Sequence, residues 1–269
     1  MTSDRLAAGL LQLGLEPGDR LGLWIPNIAE WFIVNFAVSQ GWPDIGESHL
    51  QLSSVQDNFR RVDSKLSWQQ LLEEVNINPA NQSAELKYCL NKVGIKALIT
   101  VDKFKTQRYP ELISAIVPEV TSSRVGDIRS EHVPSLKSVI VISEDQFPGS
   151  FKYDDVMASG TKEYLQKVRL LQNKIQPDEG CNIYFTSGTT GSPKAALLSH
   201  HSIVNNAYYT GKRLGLHLKD HKLCIPLPLF HAFAGIVAVL AGFHFGSTSV
   251  VPTAGYNADL AVQAIKKEK

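Results

Sequence analysis

One segment of nine residues concentrates the groups that bind phosphate. Residues 186–194 read Thr-Ser-Gly-Thr-Thr-Gly-Ser-Pro-Lys, which brings five hydroxyl groups, two glycines and one cation together. Gly188 and Gly191 permit positive φ and close approach of the backbone, so that successive N–H groups can point into one concavity. Many short donors beside a mobile cation suit the phosphates of a nucleoside triphosphate. The segment is therefore predicted to be a phosphate-binding loop.

Other interpretations of this segment are a flexible surface loop or a different class of phosphate loop. A stretch rich in Ser, Thr and Gly is typical of exposed turns in general. A Walker A loop needs Gly directly before its Lys and Ser or Thr after it, whereas Lys194 stands between Pro193 and Ala195. The order of the segment favours phosphate binding, and its candidate ligands are Thr186, Ser187, Gly188, Thr189, Thr190, Gly191, Ser192, Pro193 and Lys194.

An alternation of helices and strands is predicted to position this loop. Strands are expected at 182–185 and 196–198, on either side of the loop, and a helix over 203–214 follows them. The chain opens with a helix, a strand and a second helix, and Asn27 is expected to cap the second helix. This alternation predicts an α/β fold, with helices packed on mostly parallel sheets.

The composition indicates a globular protein and excludes several functional classes. Apolar residues make up 43% and charged residues 20% of the 269 residues, which is enough for a sizeable core. A net charge of +1 gives no electrostatic basis for binding nucleic acid. The three cysteines are far apart and no CxxC or HExxH pair occurs, so neither a disulfide framework nor a metal site is expected. The longest apolar run, residues 232–245, is shorter than the roughly 20 residues of a transmembrane helix.

The phosphate-loop segment is part of a longer resemblance to a known family. Residues 184–194 closely resemble the phosphate-loop signature of the AMP-forming adenylating superfamily, which includes acyl-CoA synthetases, luciferases and nonribosomal-peptide adenylation domains. Residues 226–231, Pro-Leu-Pro-Leu-Phe-His, are similar to that family's proline-rich segment ending in histidine. The resemblance covers roughly residues 1–41 and 75–269 and is greatest to the mitochondrial medium-chain acyl-CoA synthetases.

The resemblance implies a two-step ligase reaction. A fatty carboxylate attacks the α-phosphorus of ATP and releases pyrophosphate, and the CoA thiolate then displaces AMP from the acyl-adenylate. ATP and Mg²⁺ are the implied cofactors, CoA is a co-substrate, and the implied partners are small molecules rather than nucleic acid. A mitochondrial location is implied too, although the chain carries no recognisable targeting segment.

Two residues receive specific roles from this resemblance. Lys194 is implied to be the catalytic residue, because its cation offsets the charge that develops on the leaving pyrophosphate. His231 is implied to lie beside the carboxylate of the acyl substrate. From the residues alone, His231 is equally a core or helix-capping histidine at the start of the helix that follows it.

The chain departs from the family pattern in three places. Family members continue into a second half of the large domain and a small C-terminal domain, so the chain is expected to be an incomplete N-terminal large domain, truncated at both ends and inactive alone. Residues 42–74 are polar, lack a period of 2 or 3.6, and are expected to be an insertion that replaces a short buried strand. Ala195 stands where the family usually has Gly and is expected to distort the exit of the loop.

Two alternative functions stay open for this chain. One is a truncated, non-catalytic product of an acyl-CoA synthetase gene, and the other is an unrelated phosphate-loop nucleotidase.

Overall fold

The computed structural model of the chain describes residues 2–38, 71–172, 174–187 and 191–268. The helices are α1 (Thr2–Gln12), α2 (Ala29–Val38), α3 (Ser83–Val93), α4 (Tyr109–Ile116), α5 (Tyr153–Ser159), α6 (Lys162–Gln172), α7 (His200–Arg213), α8 (Ala241–His244) and α9 (Ala258–Lys267). A 3₁₀ turn covers Pro118–Thr121, and a π-helix covers Phe233–Leu240. The strands are β1 (Arg20–Trp24), β2 (Glu73–Asn76), β3 (Ala97–Val101), β4 (Lys103–Phe104), β5 (Gln107–Arg108), β6 (Ser138–Ile142), β7 (Phe151–Lys152), β8 (Gly180–Thr186), β9 (Lys194–Ser199), β10 (Lys222–Cys224) and β11 (Thr248–Val250).

Within the described residues, seven strands form the main sheet, in the order β7-β6-β3-β1-β2-β8-β9. Neighbouring strands are parallel except β8 and β9, which pair antiparallel at one edge of the sheet. Parallel neighbours need crossover connections, and the intervening helices supply most of them. The predicted α/β class with a mostly parallel sheet is confirmed.

The middle of this sheet is covered on both faces. All five residues of β3 are buried, as expected for a parallel strand with helices on either side. On one side α1 packs against α2, α5 and α6. The sheet is therefore the rigid frame from which the loops at its edges project.

Strand β2 begins inside the stretch, residues 42–74, that is predicted from the sequence to be an insertion. Glu73–Asn76 pairs with β1 on one side and with β8 on the other, and Leu71 and Leu72 before it are buried. The prediction that residues 42–74 replace a buried strand is therefore wrong at its C-terminal end, because the strand is present and begins at Glu73. Residues 42–70 lie outside the described residues, so an insertion there stays a prediction.

Polar side chains of β2 form a buried hydrogen-bond network with neighbouring elements. Because these side chains are polar, the sequence does not predict a buried strand here. Asn35 of α2 donates through Nδ2 to Oε2 of Glu74 at 2.9 Å. Asn76 donates through Nδ2 to Oδ1 of Asn182 at 2.7 Å and accepts from Nε1 of Trp31 at 3.2 Å. Burial raises the pKa of Glu74 to about 7, against the smaller lowering effect of hydrogen bonds from Asn35 and Asn76. The network ties α2 and β2 to β8, the strand that leads into the phosphate loop.

Residues 200–268, called the C-terminal region below, form a smaller second layer. Strands β10 and β11 make a two-stranded parallel sheet of their own. Ile203 of α7 and Ile236 of the π-helix belong to a second apolar cluster, which also includes Tyr184 of β8. Among the helices of the described ranges, none has the length and apolar character to cross a membrane.

Candidate active site

The predicted phosphate loop is the turn of the β8–β9 hairpin. Thr186 and Lys194 face each other as the last pair of the ladder, so the ladder ends where the predicted loop begins and ends. Thr186, Ser187 and residues 191–194 are exposed. Gly191 has a φ of 99°, a positive value of the kind that the sequence predicts glycine to permit in this loop. The candidate ligands Gly188, Thr189 and Thr190 lie outside the described residues.

Contacts at both ends hold this loop in place. Oη of Tyr88, from α3, donates to the carbonyl of Pro193 at 2.7 Å. Oγ1 of Thr186 reaches the carbonyl of Lys194 at 3.5 Å. Lys194 takes part in none of the ion pairs found within the described ranges, so no carboxylate there neutralises its ammonium group. The loop therefore combines an anchored exit with an exposed cation. The role of Tyr88 has no signal in the sequence, because the residue is far from the loop along the chain.

Ala195 does not distort the exit of the loop. It lies in β9 opposite Phe185, and Lys105 is the one described non-glycine residue with a positive φ. The expectation of distortion is therefore wrong, because an extended strand residue has no need of glycine's freedom.

The ring of His231 lies at the start of the π-helix and accepts a hydrogen bond from its first residue. The backbone N–H of Phe233 donates to Nδ1 of His231 at 3.2 Å, and the carbonyl of His231 accepts the N–H of Gly235 at 3.0 Å. The ring thus bonds to the first residue of the helix, but the N-cap position is Ala232, and the substrate-binding role of His231 stays a prediction. Because Nδ1 acts as an acceptor, the neutral ring carries its proton on Nε2. The residue is exposed, so the bond to Phe233 leaves Nε2–H as the ring donor for a further partner.

Asn27 holds the proline-rich segment that leads to His231. Its Nδ2 donates to the carbonyl of Leu227 at 2.9 Å, and its Oδ1 accepts the N–H of Leu229 at 2.8 Å. The prediction that Asn27 caps α2 is wrong, because its side chain is engaged about 200 residues further along the chain. No local pattern reveals partners at that separation.

The loop and the segment that leads to His231 both lie at the end of the sheet where the parallel strands have their carboxyl ends. Asn27 follows the carboxyl end of β1, and the loop follows the carboxyl end of β8. Only β2 lies between these parallel strands, which places their ends about 10 Å apart at the usual strand spacing. Ligands of α/β proteins bind at the carboxyl ends of parallel strands.

Close packing of the π-helix on β8 ties the two parts together. A Cβ atom added to Gly235 would lie 2.9 Å from Oη of Tyr184 and 3.2 Å from the carbonyl of Leu229. Glycine therefore allows the helix that follows His231 to approach the strand that enters the predicted phosphate loop.

A divalent metal has no evident protein ligands in this part of the structure. The described residues contain no group of three or more His, Cys, Asp or Glu side chains placed to hold a metal ion. The donors at the loop are hydroxyl groups, backbone N–H groups and a lysine, which are poor ligands for Mg²⁺ compared with carboxylates. The described residues of the loop thus present donors suited to an anion.

Comparisons with known proteins identify the family of the chain. The family model for the AMP-binding enzymes matches residues 1–40 and 73–269. The chain is 38% identical over 267 residues to the mitochondrial medium-chain acyl-CoA ligase of Danio rerio. It is 35% identical over 270 residues to the mitochondrial medium-chain acyl-CoA ligase of Homo sapiens. Each alignment covers 99% of this chain and 39% of the relative. The crystal structure of the anthranilate CoA ligase AuaEII superposes with a TM-score of 0.72 at 19% identity, covering 99% of this chain and 41% of that one.

The chain belongs to the AMP-binding enzyme family. Within the family it is similar to the mitochondrial medium-chain acyl-CoA ligases, which confirms the predicted resemblance. It spans about two fifths of the length of those relatives, since the alignments cover 39% of them. The family match resumes at residue 73, where β2 begins. An unrelated phosphate-loop nucleotidase is excluded.

Proposed function

We propose that this chain is the phosphate-binding part of an ATP-dependent fatty acid–CoA ligase that releases AMP and activates a medium-chain fatty acid. The observation that carries the proposal is the turn of the β8–β9 hairpin, which presents hydroxyl groups, a glycine in the left-handed conformation and Lys194 at the carboxyl edge of a parallel sheet. Family membership and the names of the relatives support the reaction class and the medium-chain substrate.

The loop supplies electrostatic stabilisation in this reaction. Its N–H and hydroxyl groups bind the β- and γ-phosphates of ATP, and Lys194 is the catalytic residue that offsets charge on the departing pyrophosphate. The hairpin and the Tyr88 contact hold these donors in place before the substrate arrives, so little reorganisation is needed during the reaction.

His231 binds the second reactant. Its Nε2–H donates to one oxygen of the fatty acid carboxylate, while the Phe233 N–H fixes the ring through Nδ1. Holding the carboxylate at the edge from which the phosphate loop projects favours attack of the other oxygen on the α-phosphorus. CoA is the co-substrate of the second step. We place the protein in mitochondria on the names of its relatives.

Mg²⁺ is part of the proposed reaction as a counter-ion of ATP. When it is bound to the phosphates, it neutralises part of their charge. The described residues supply no carboxylate cluster for it, so the proposal assigns it no protein ligand.

The function is tested with the chain alone and with a fusion to the parts of the Danio rerio ligase that it does not match. Pyrophosphate release is measured with octanoate, ATP and Mg²⁺, and thioester formation is measured after addition of CoA. We expect turnover by the fusion, loss of that turnover in Lys194→Ala, and nucleotide binding without turnover by the chain alone. A folded fusion that forms no acyl-CoA would contradict the ligase function and favour a non-catalytic role. Turnover by the chain alone would contradict its assignment as only the phosphate-binding part.

A further inference from the structure

Asn27 joins the main sheet to the segment that carries His231. One residue at the end of β1 makes three hydrogen bonds to two distant loops. Its backbone N–H donates to the carbonyl of Ala254 at 3.0 Å, and its side chain bonds to Leu227 and Leu229. The side chain is almost fully covered, with 8% of the residue exposed.

The proline-rich segment lacks the backbone N–H groups that pairing in a β-sheet needs. Pro226 and Pro228 have no N–H group, so residues 226–229 offer only two backbone donors. One of these, the N–H of Leu229, belongs to a fully buried residue and is satisfied by Asn27. An asparagine side chain is suited to this position because it carries a donor and an acceptor at one fixed separation.

A short chain of contacts leads from Asn27 to the ring of His231. Asn27 bonds to Leu227 and Leu229, on either side of Pro228. The carbonyl of Pro228 accepts the backbone N–H of His231 at 3.1 Å. The ring of His231 then accepts the N–H of Phe233 through Nδ1. If the first two bonds are lost, the turn that orients the ring loses its support from the sheet.

We propose that Asn27 is a positioning residue that fixes the orientation and tautomer of the His231 imidazole, so that Nε2–H faces the carboxylate of the substrate. The orientation is a property of this chain, whereas the identity of the carboxylate rests on the proposed function. Asn27 does not contact the substrate and acts only through His231.

The experiment compares two Asn27 variants with a matched control in the 269-residue protein. Asn27→Ala removes both side-chain bonds, and Asn27→Asp keeps the size and the acceptor but replaces the donor to Leu227 by a carboxylate oxygen. Asn35→Ala is the control, because Asn35 is equally buried and bonds to Glu74 rather than to the proline-rich segment. Ring ¹⁵N NMR, with the His231 signal assigned from His231→Gln, reports the tautomer. Calorimetry reports the affinities for ATP and for octanoyl sulfamoyl adenosine, a stable analogue of the acyl-adenylate.

The tautomer and the two affinities separate this inference from the proposed function. We expect the Nε2–H tautomer in the wild type and in Asn35→Ala, and a mixture of tautomers in both Asn27 variants. We also expect Asn27→Ala to bind the octanoyl analogue about tenfold more weakly than the wild type, with its ATP affinity changed by less than about twofold.

An unchanged His231 spectrum in Asn27→Ala, or an equal change in Asn35→Ala, overturns the inference. A changed spectrum with unchanged affinity for the analogue overturns the link to the substrate. Failure of the wild type to bind either nucleotide contradicts the proposed function, while the spectra still decide the role of Asn27.

Discussion

The main sheet and the C-terminal region use the same alternation of strands and helices, but their apolar residues are covered to different extents. Every residue of β3 is buried, whereas no residue of β10 or β11 is. Helix α9 buries only Ala261 and leaves Leu260, Val262 and Ile265 exposed. The two regions therefore differ in how much of their apolar surface this chain itself covers.

The two parts of the candidate site lie in regions that differ in how far their apolar residues are covered. The described ends of the proposed phosphate loop adjoin the main sheet, where the β8–β9 ladder pairs Thr186 with Lys194. His231 belongs to the more open region, and contacts such as those of Asn27 and Gly235 hold it against the sheet. The two halves of the site should consequently respond differently to perturbation.

The largest difference is expected in the cost of truncating an apolar side chain. Trp31 is fully buried beneath the sheet, and Trp31→Ala should lower the free energy of unfolding by about 3–5 kcal/mol. Ile265 is 57% exposed, and Ile265→Ala should change it by less than about 0.5 kcal/mol. Urea denaturation of both variants measures these values. Equal costs would show that the C-terminal region is as well packed as the sheet.

A pH dependence of stability is expected from the buried carboxyl of the main sheet. Burial raises the pKa of Glu74 from 4.5 to about 7, so the folded state holds this proton more tightly than the unfolded state. This contribution to stability is complete below pH 4.5 and is lost as the pH rises through about 7, by about 3 kcal/mol in total. Glu74→Gln should remove that loss, as measured by urea denaturation between pH 4 and pH 9. The exposed Glu163→Gln control should keep the wild-type slope, and an unchanged slope in Glu74→Gln would mean that Glu74 is ionised in the folded protein.

A smaller effect is expected at the contact between the two regions. Gly235→Ala adds a methyl group 2.9 Å from Oη of Tyr184, and the overlap should cost about 1–3 kcal/mol of stability. Tyr184→Phe removes that oxygen, so the double variant should recover part of the loss. The remaining contact with the carbonyl of Leu229, at 3.2 Å, explains why recovery is expected to be incomplete. Additive losses in the double variant would show that the π-helix does not depend on this approach.

Local patterns in the sequence predicted most of the fold and the position of the loop. The strands around the loop and the exposed turn follow from periodicity and from glycine chemistry. Strand β2 was missed because Glu74 and Asn76 are polar, and their burial depends on partners in α2 and β8. The role of Asn27 was missed because its side-chain partners are about 200 residues away. Residues whose partners are close in sequence were predictable, whereas those with distant partners were not.

The central claim is that the turn of the β8–β9 hairpin binds the phosphates of ATP, and the affinity of the 269-residue protein for ATP tests it most directly. Isothermal titration calorimetry of the wild type, Lys194→Ala and Lys212→Ala compares the loop cation with an exposed cation on α7. We expect Lys194→Ala to weaken binding about tenfold and Lys212→Ala to leave it within about twofold of the wild type. Equal affinities of Lys194→Ala and the wild type would contradict the assignment of the loop.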